Sequence, residues 1–129
     1  MLEIVTPEKK VLSEQVDIVV APGELGEFGV LPGHIPFLCK LKIGELKYRM
    51  GAASQNVAIM GGYAEVLNNQ VTILATAAEP ATEIDVVRAK AARERAEKRI
   101  SGARDKLDFA RAQAALQRAI ARLKVAERQ

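Results

Sequence analysis

Tryptophan is absent from this sequence, histidine and cysteine occur once each, and aromatics make up 4% of its 129 residues. Each shortage excludes something. A single cysteine, Cys39, rules out an internal disulfide and any multi-thiolate metal site. Within Phe37-Leu38-Cys39 it is expected to serve as a small core residue. The lone histidine, His34, has no second histidine, cysteine pair or adjacent serine, so neither a zinc site nor a catalytic triad can be built around it. A structural or interface use is expected instead. No stretch approaches the roughly 20 consecutive apolar residues of a membrane-spanning helix. Met1-Leu2-Glu3-Ile4 carries neither a basic segment nor an apolar signal core, and a protein kept in the cytoplasm is expected. Gly23-x-x-Gly26-x-x-Gly29 lacks the Gly-Lys-Ser/Thr ending that a nucleotide P-loop needs, so its glycines are read as turn formers. No catalytic constellation is found anywhere, and the chain is not expected to be an enzyme.

What is present divides into two parts. Residues 1–84 hold six basic and ten acidic side chains, net −4; residues 85–129 hold thirteen and six, net +7. Such a split suggests segments with different partners, the basic one wanting an anion or an acidic surface. In the acidic part, short β-branched and apolar runs recur: Leu2–Val5, Val16–Ala21, Phe28–Leu31, Phe37–Ile43, Leu46–Met50, Asn56–Met60, Tyr63–Leu67 and Val71–Ala77. Turn signals separate them, among them Pro22-Gly23, Gly44, Gly61-Gly62 and Asn68-Asn69. Short strands at this spacing imply an antiparallel sandwich or barrel. Near residue 80 the pattern changes: from Thr82 onward there is no proline, one glycine (Gly102), and a predominance of alanine, arginine, glutamate and lysine. Thr82-Glu83-Ile84-Asp85 fits a capping box with Thr82 as cap. A first helix is expected to run to about Ser101, closed by Gly102, and a second from about Asp105 nearly to the end. Ala89, Ala92, Ala96 and Ile100 on the first, and Phe109, Ala112, Leu116, Ala119, Leu123 and Ala126 on the second, have the spacing of a packing seam. The expected fold is α+β: an antiparallel β-sandwich over residues 1–82, then an antiparallel two-helix hairpin over 83–129. An alanine seam buries little apolar surface, so the hairpin is expected to be mobile without further support.

The helices also carry arginine stripes. Arg88, Arg95 and Arg99 are spaced by seven and four, and so are Arg111, Arg118 and Arg122, which lines each trio along one face at about 100° per residue. Antiparallel pairing would cluster Arg88, Arg118 and Arg122 at the open end beside Asp85. The plainest account of such spacing is a solvated helix face, partly offset by Glu94, Glu97 and Asp108. Two functional accounts compete with it: a bound polyphosphate, suited to arginine's fork and aided by a helix N-terminus, or docking onto an acidic protein surface. Nucleic acid is disfavoured by the scarcity of aromatics and the acidic first part.

Two motifs carry a family resemblance. Ala21-Pro-Gly-Glu-Leu-Gly-Glu-Phe-Gly-Val-Leu-Pro-Gly-His34 resembles the signature of epsilon subunits of bacterial F-type ATP synthases, and Ile59-Met-Gly-Gly-Tyr-Ala-Glu-Val66 resembles that family's second sheet motif. The similarity continues into both helices. The resemblance implies a non-catalytic subunit of a proton-translocating ATP synthase, peripheral on the cytoplasmic side of the bacterial plasma membrane. It implies a β domain that binds the gamma subunit and the rotor c-ring. It also implies a hairpin that lies folded or extends into the head of alpha and catalytic beta subunits, where it inhibits ATP hydrolysis. Ile84-Asp85-Val86-Val87-Arg88-Ala89 is similar to the Ile/Leu-Asp-x-x-Arg-Ala motif of epsilon subunits that bind ATP as a regulator. By that similarity the site comprises Glu79, Ile84, Asp85, Arg88, Ala89, Arg95, Arg118 and Arg122, with ATP, alone or with Mg2+, as its ligand. A stand-alone nucleotide sensor is the alternative of a different class; an enzyme is the least supported.

Overall fold

A computed structural model of the chain describes residues 1–33 and 35–127. His34, and with it the expectation of a structural or interface role, lies outside the described residues, as do Arg128 and Gln129. Eight strands come first: β1 (Leu2–Val5), β2 (Lys10–Glu14), β3 (Ile18–Gly23), β4 (Gly26–Val30), β5 (Phe37–Met50), β6 (Ala53–Leu67), β7 (Gln70–Ala75) and β8 (Ala78–Pro80). A 3-10 turn at Ala81–Glu83 leads to α1 (Val86–Ser101) and α2 (Lys106–Glu127). The strands hydrogen-bond in the order β2-β1-β7-β6-β5-β3-β4, with β8 added to β6. All neighbours are antiparallel except β1 and β7, which run parallel. Asn68 and Asn69 turn the β6–β7 hairpin at φ +52° and +61°, the left-handed conformation that asparagine tolerates.

Gly44 and Gly61-Gly62, expected to be turns, lie instead inside two long strands. β5 and β6 form one continuous ribbon in constant register from Phe37↔Val66 to Met50↔Ala53. The glycines bend it. Val57 and Ile59 point into the core, yet so do Ala64 and Val66, so the inward parity of β6 reverses across Gly61 and Gly62. These two glycines take φ +81° and +135°, and a Cβ at Gly62 would run into the Leu74 carbonyl. On β5 a Cβ at Gly44 would lie 2.8 Å from the Pro22 Cβ. The ribbon thereby passes from one layer of the sandwich to the other. Its C-terminal half of β6 pairs with β7 and its N-terminal half with β8. β2 and β8 lack a clear apolar run and were not anticipated; pairing with β1 and β6 makes them strands.

Leu2, Ile4, Val19, Leu46, Val57, Ile59, Val66 and Ile73 are essentially solvent-free at the centre of the sandwich, each contributing roughly 1.5–3 kcal/mol. Cys39 is half-buried at the edge of this core rather than within it. Burial pushes its thiol pKa up.

The parity switch leaves Ala58 and Met60 facing away from the sandwich core. They form a second cluster with Ala81 and Val125 of α2, against which Ile43, Ala77 and Ile84 pack. The hairpin is thus docked on the outer face of β5 and β6. α2 uses two faces to do so: Ala112 and Ala119 lie on the expected seam, while Ala121 and Val125 are buried toward the sheet. Ala121 lies about 200° around the helix from Ala119. Phe109, expected in the seam, is 48% exposed, because the packed stretch of α2 begins at Ala112.

Candidate functional site

The site is assembled where the sandwich hands over to the helices. Thr82 does not cap α1: it sits in the 3-10 turn, Ile84 is extended, and Asp85 takes the N-cap position. The Asp85 Oδ1 accepts a hydrogen bond from the Arg88 backbone N–H at 3.0 Å, so the cap falls three residues later than the sequence suggested. Asp105 caps α2 in the same way, accepting from the Asp108 N–H at 2.8 Å. At the far end of α1, Gly102 closes the helix through its N–H to the Lys98 carbonyl at 3.1 Å, with an ordinary φ of −98°.

These elements enclose a cavity of about 300 Å3, lined by Glu79, Glu83, Asp85, Arg88, Ala89, Ala92, Arg95 and Arg122. Glu79 reaches it from β8, Glu83 from the 3-10 turn, Asp85 through Arg95 from the start of α1, and Arg122 from α2. Arg122 Nε is paired with Glu79 Oε1, which ties α2 to β8. The two side chains keep 28% and 32% of their exposure, so solvent screens the pair and limits its worth. Ala89 is 3% exposed and Ala92 half-buried; small residues there leave room between the helices.

Of the eight residues expected from the sequence, six line this cavity: Glu79, Asp85, Arg88, Ala89, Arg95 and Arg122. Ile84 and Arg118 do not. Ile84 packs beside Ala58, Met60, Ala81 and Val125, where it anchors the docked hairpin. Arg118 is half-buried one turn before Arg122 on α2, outside the cavity lining. Glu83 and Ala92 were not in the expected set. Ala92 could have been found from its helical spacing to Ala89, whereas Glu83 enters only through the 3-10 turn. Three guanidinium groups from two helices facing one hollow can bind a polyanion by charge-assisted, bidentate hydrogen bonds. Two of the three carboxylates are committed already, Glu79 to Arg122 and Asp85 to its own helix. Among the described residues no cluster of His, Cys, Asp and Glu could hold a metal ion. No helix among them is long and apolar enough to cross a membrane.

Residues 1–81 match the β-sandwich domain of the ATP synthase delta/epsilon chain, and residues 82–127 match its long alpha-helix domain. The chain belongs to the ATP synthase delta/epsilon chain family. The ATP synthase epsilon chain of Syntrophobacter fumaroxidans is 76% identical over 127 residues, covering 98% of this chain and 95% of that one. That of Nitratidesulfovibrio vulgaris (strain DP4) is 59% identical over 124 residues, covering 96% and 92%. Among solved structures, a chain in the cryo-EM structure of Euglena gracilis mitochondrial ATP synthase (OSCP/F1/c-ring, rotational state 1) superposes with a TM-score of 0.83 at 27% identity. The match covers 98% of this chain and 79% of that one. The likeness read from Ala21–His34 and Ile59–Val66 is therefore a family membership that spans both parts of the chain.

Proposed function

We propose that the chain is a non-catalytic central-stalk subunit of a bacterial proton-translocating ATP synthase, peripheral on the cytoplasmic face of the plasma membrane, whose hairpin is a brake on ATP hydrolysis. In this reading the sandwich binds gamma and the c-ring. The extended hairpin obstructs the alpha and beta subunits, where catalysis occurs. ATP, with or without Mg2+, occupies the cavity and keeps the hairpin folded. Kinship with epsilon chains supports the stalk role, and the Euglena neighbour belongs to an assembly that includes a c-ring.

One observation carries the regulatory part: guanidinium groups of Arg88 and Arg95 on α1 and Arg122 on α2 converge on one cavity beside the β8 junction. Such a cavity exists only while the hairpin is docked. An anion that bridges both helices therefore favours the docked state by mass action. Calorimetry on the isolated subunit tests this, with ATP, ADP and GTP as separate titrants. ATP is expected to bind with a dissociation constant below millimolar and ADP more weakly, since it offers one phosphate fewer. Absence of binding at millimolar ATP would overturn the reading.

A further inference from the structure

Among the described residues, Arg122 is the cavity guanidinium that has a carboxylate partner, and Arg88 and Arg95 form no ion pair. That partner, Glu79, is presented by the sheet and not by the hairpin. β8 pairs with β6 in the register Ala58↔Glu79, and Ala58 belongs to the cluster on which Val125 docks, so Glu79 stands on the hairpin-facing side. Its Oε1 accepts from Arg122 Nε at the wall of the cavity. A carboxylate offers a guanidinium the same kind of anionic acceptor oxygens that a phosphate does. Glu79 thus engages the arginine through which α2 reaches the cavity, the group that a polyphosphate bridging both helices requires.

We propose that Glu79 is a built-in competitor of the nucleotide: it holds Arg122 in the absence of ligand, and its displacement sets the ATP concentration at which the cavity fills. This rests on the cavity being the nucleotide site of the proposed function. Arg122 has further N–H donors, but a phosphate bound to them beside Glu79 sets two anions against one cation, and like charges at that range repel. Filling the site therefore parts Glu79 from Arg122. Glu79 keeps 32% of its side-chain exposure, so its carboxylate has water to turn to. Loss of one partly screened pair weakens nucleotide binding about fivefold. The exchange also changes what holds α2. Without nucleotide, Arg122 ties α2 to β8 on the sheet; with it, a ligand shared with Arg88 and Arg95 ties α2 to α1. A tether that yields to ligand keeps the hairpin in place until ligand arrives, and lowers affinity as it does so.

E79Q tests this, because glutamine keeps the length and an acceptor oxygen but not the charge. Wild type, E79Q, R122A and R122A/E79Q are titrated calorimetrically with ATP as full-length chains. Each dissociation constant is scaled by the docked fraction, which alkylation of V125C in a C39A background reports because Val125 is fully buried when docked. E79Q is expected to bind ATP about fivefold more tightly than wild type. R122A/E79Q is expected to lie within about twofold of R122A, since Glu79 acts through that arginine. Weaker binding by E79Q would make Glu79 a direct contact of the nucleotide, and unchanged binding would mean that no exchange takes place. Either result overturns the competitor and leaves the nucleotide site standing. Equal tightening in both backgrounds overturns it as well, because Glu79 would then act on the ligand by charge alone. Should R122A bind too weakly to titrate, the direction of the E79Q effect decides by itself. Failure of both wild type and E79Q to bind millimolar ATP overturns the nucleotide site, and the competitor with it.

Discussion

Arg122 ties α2 to β8 and lines the cavity proposed to bind ATP, and the substitution R122A separates the two roles. Its loss removes the ion pair to Glu79 on β8 and one of three guanidinium groups lining the cavity. With both partners about one-third exposed, the ion pair is worth about 1 kcal/mol or less. A charge-assisted hydrogen bond to a phosphate contributes roughly 1.5–3 kcal/mol. Taking about 2 kcal/mol, R122A should raise the dissociation constant for ATP about 30-fold. At an ATP concentration 100 times the wild-type constant, ligand stabilisation is about 2.7 kcal/mol; in the variant it falls to about 0.9 kcal/mol.

The assay is calorimetric titration of wild type, R122A and V125A, followed by thermal melts at that fixed ATP concentration. V125A is the docking control. It truncates a fully buried side chain on the sheet-facing flank of α2 and leaves every cavity-lining residue in place. It should loosen docking by roughly 1–2 kcal/mol. If Arg122 acted only by tying α2 to β8, V125A would weaken ATP binding at least as much as R122A. The reasoning predicts the reverse order. R122A binding ATP like wild type, or weakening it no more than V125A, would refute a role for this guanidinium in ligand binding.

Other expectations follow from the fold. G62A places a Cβ against the Leu74 carbonyl at a φ of +135°, and urea unfolding should show a loss of more than about 2 kcal/mol, whereas G51A at the exposed β5–β6 turn should lose less. Tyr48 has its phenol pKa pushed up by burial and, secondarily, by Glu14. The folded chain thus holds that proton more tightly than the unfolded one, so stability is full below about pH 10 and falls as pH rises through the folded value. Y48F in a C39A background should flatten that alkaline decline, and a decline identical to that of C39A alone would contradict it. Deletion of residues 103–129 should raise ATP hydrolysis by the assembled complex at low ATP while leaving assembly intact; unchanged hydrolysis would count against a braking hairpin.

The helices were legible because their signals are local. Asp105, Gly102 and the seven-residue spacing of Ala112 and Ala119 each act within a few turns, and each appears where the sequence placed it. Errors arose where a residue's conformation answers to a distant partner. Gly44 and Gly61-Gly62 read as turns because glycine punctuates hairpins, but Pro22 and Leu74, far away in the chain, make them bends within strands. Lys10–Glu14 and Ala78–Pro80 have no strand pattern of their own, and gain one from β1 and β6. Thr82 is a good cap by type, yet the chain must first complete the 3-10 turn that buries Ala81, which passes the cap to Asp85. Ala121 and Val125 were missed because a two-helix seam has no reason to use the opposite flank of α2 until a sheet lies beneath it.

That last point bears on how the candidate site can work. The parity switch at Gly61-Gly62 turns Ala58 and Met60 outward, and so creates the apolar face on which the hairpin rests. The face is small. Among the described residues, α2 brings to it the buried side chains of Ala121 and Val125, together with the partly screened ion pair of Arg122. A fully buried valine contributes roughly 1.5 kcal/mol or somewhat more, and the ion pair about 1 kcal/mol or less. Docking energy of this size is comparable with the roughly 2.7 kcal/mol that a ligand supplies at 100 times its dissociation constant. A deeper interface would hold the hairpin regardless of ligand, and a seam without Val125 would scarcely hold it at all. The cavity of Arg88, Arg95 and Arg122 adjoins this interface, so that under the proposed function an anion gripping both helices would decide between docked and released states.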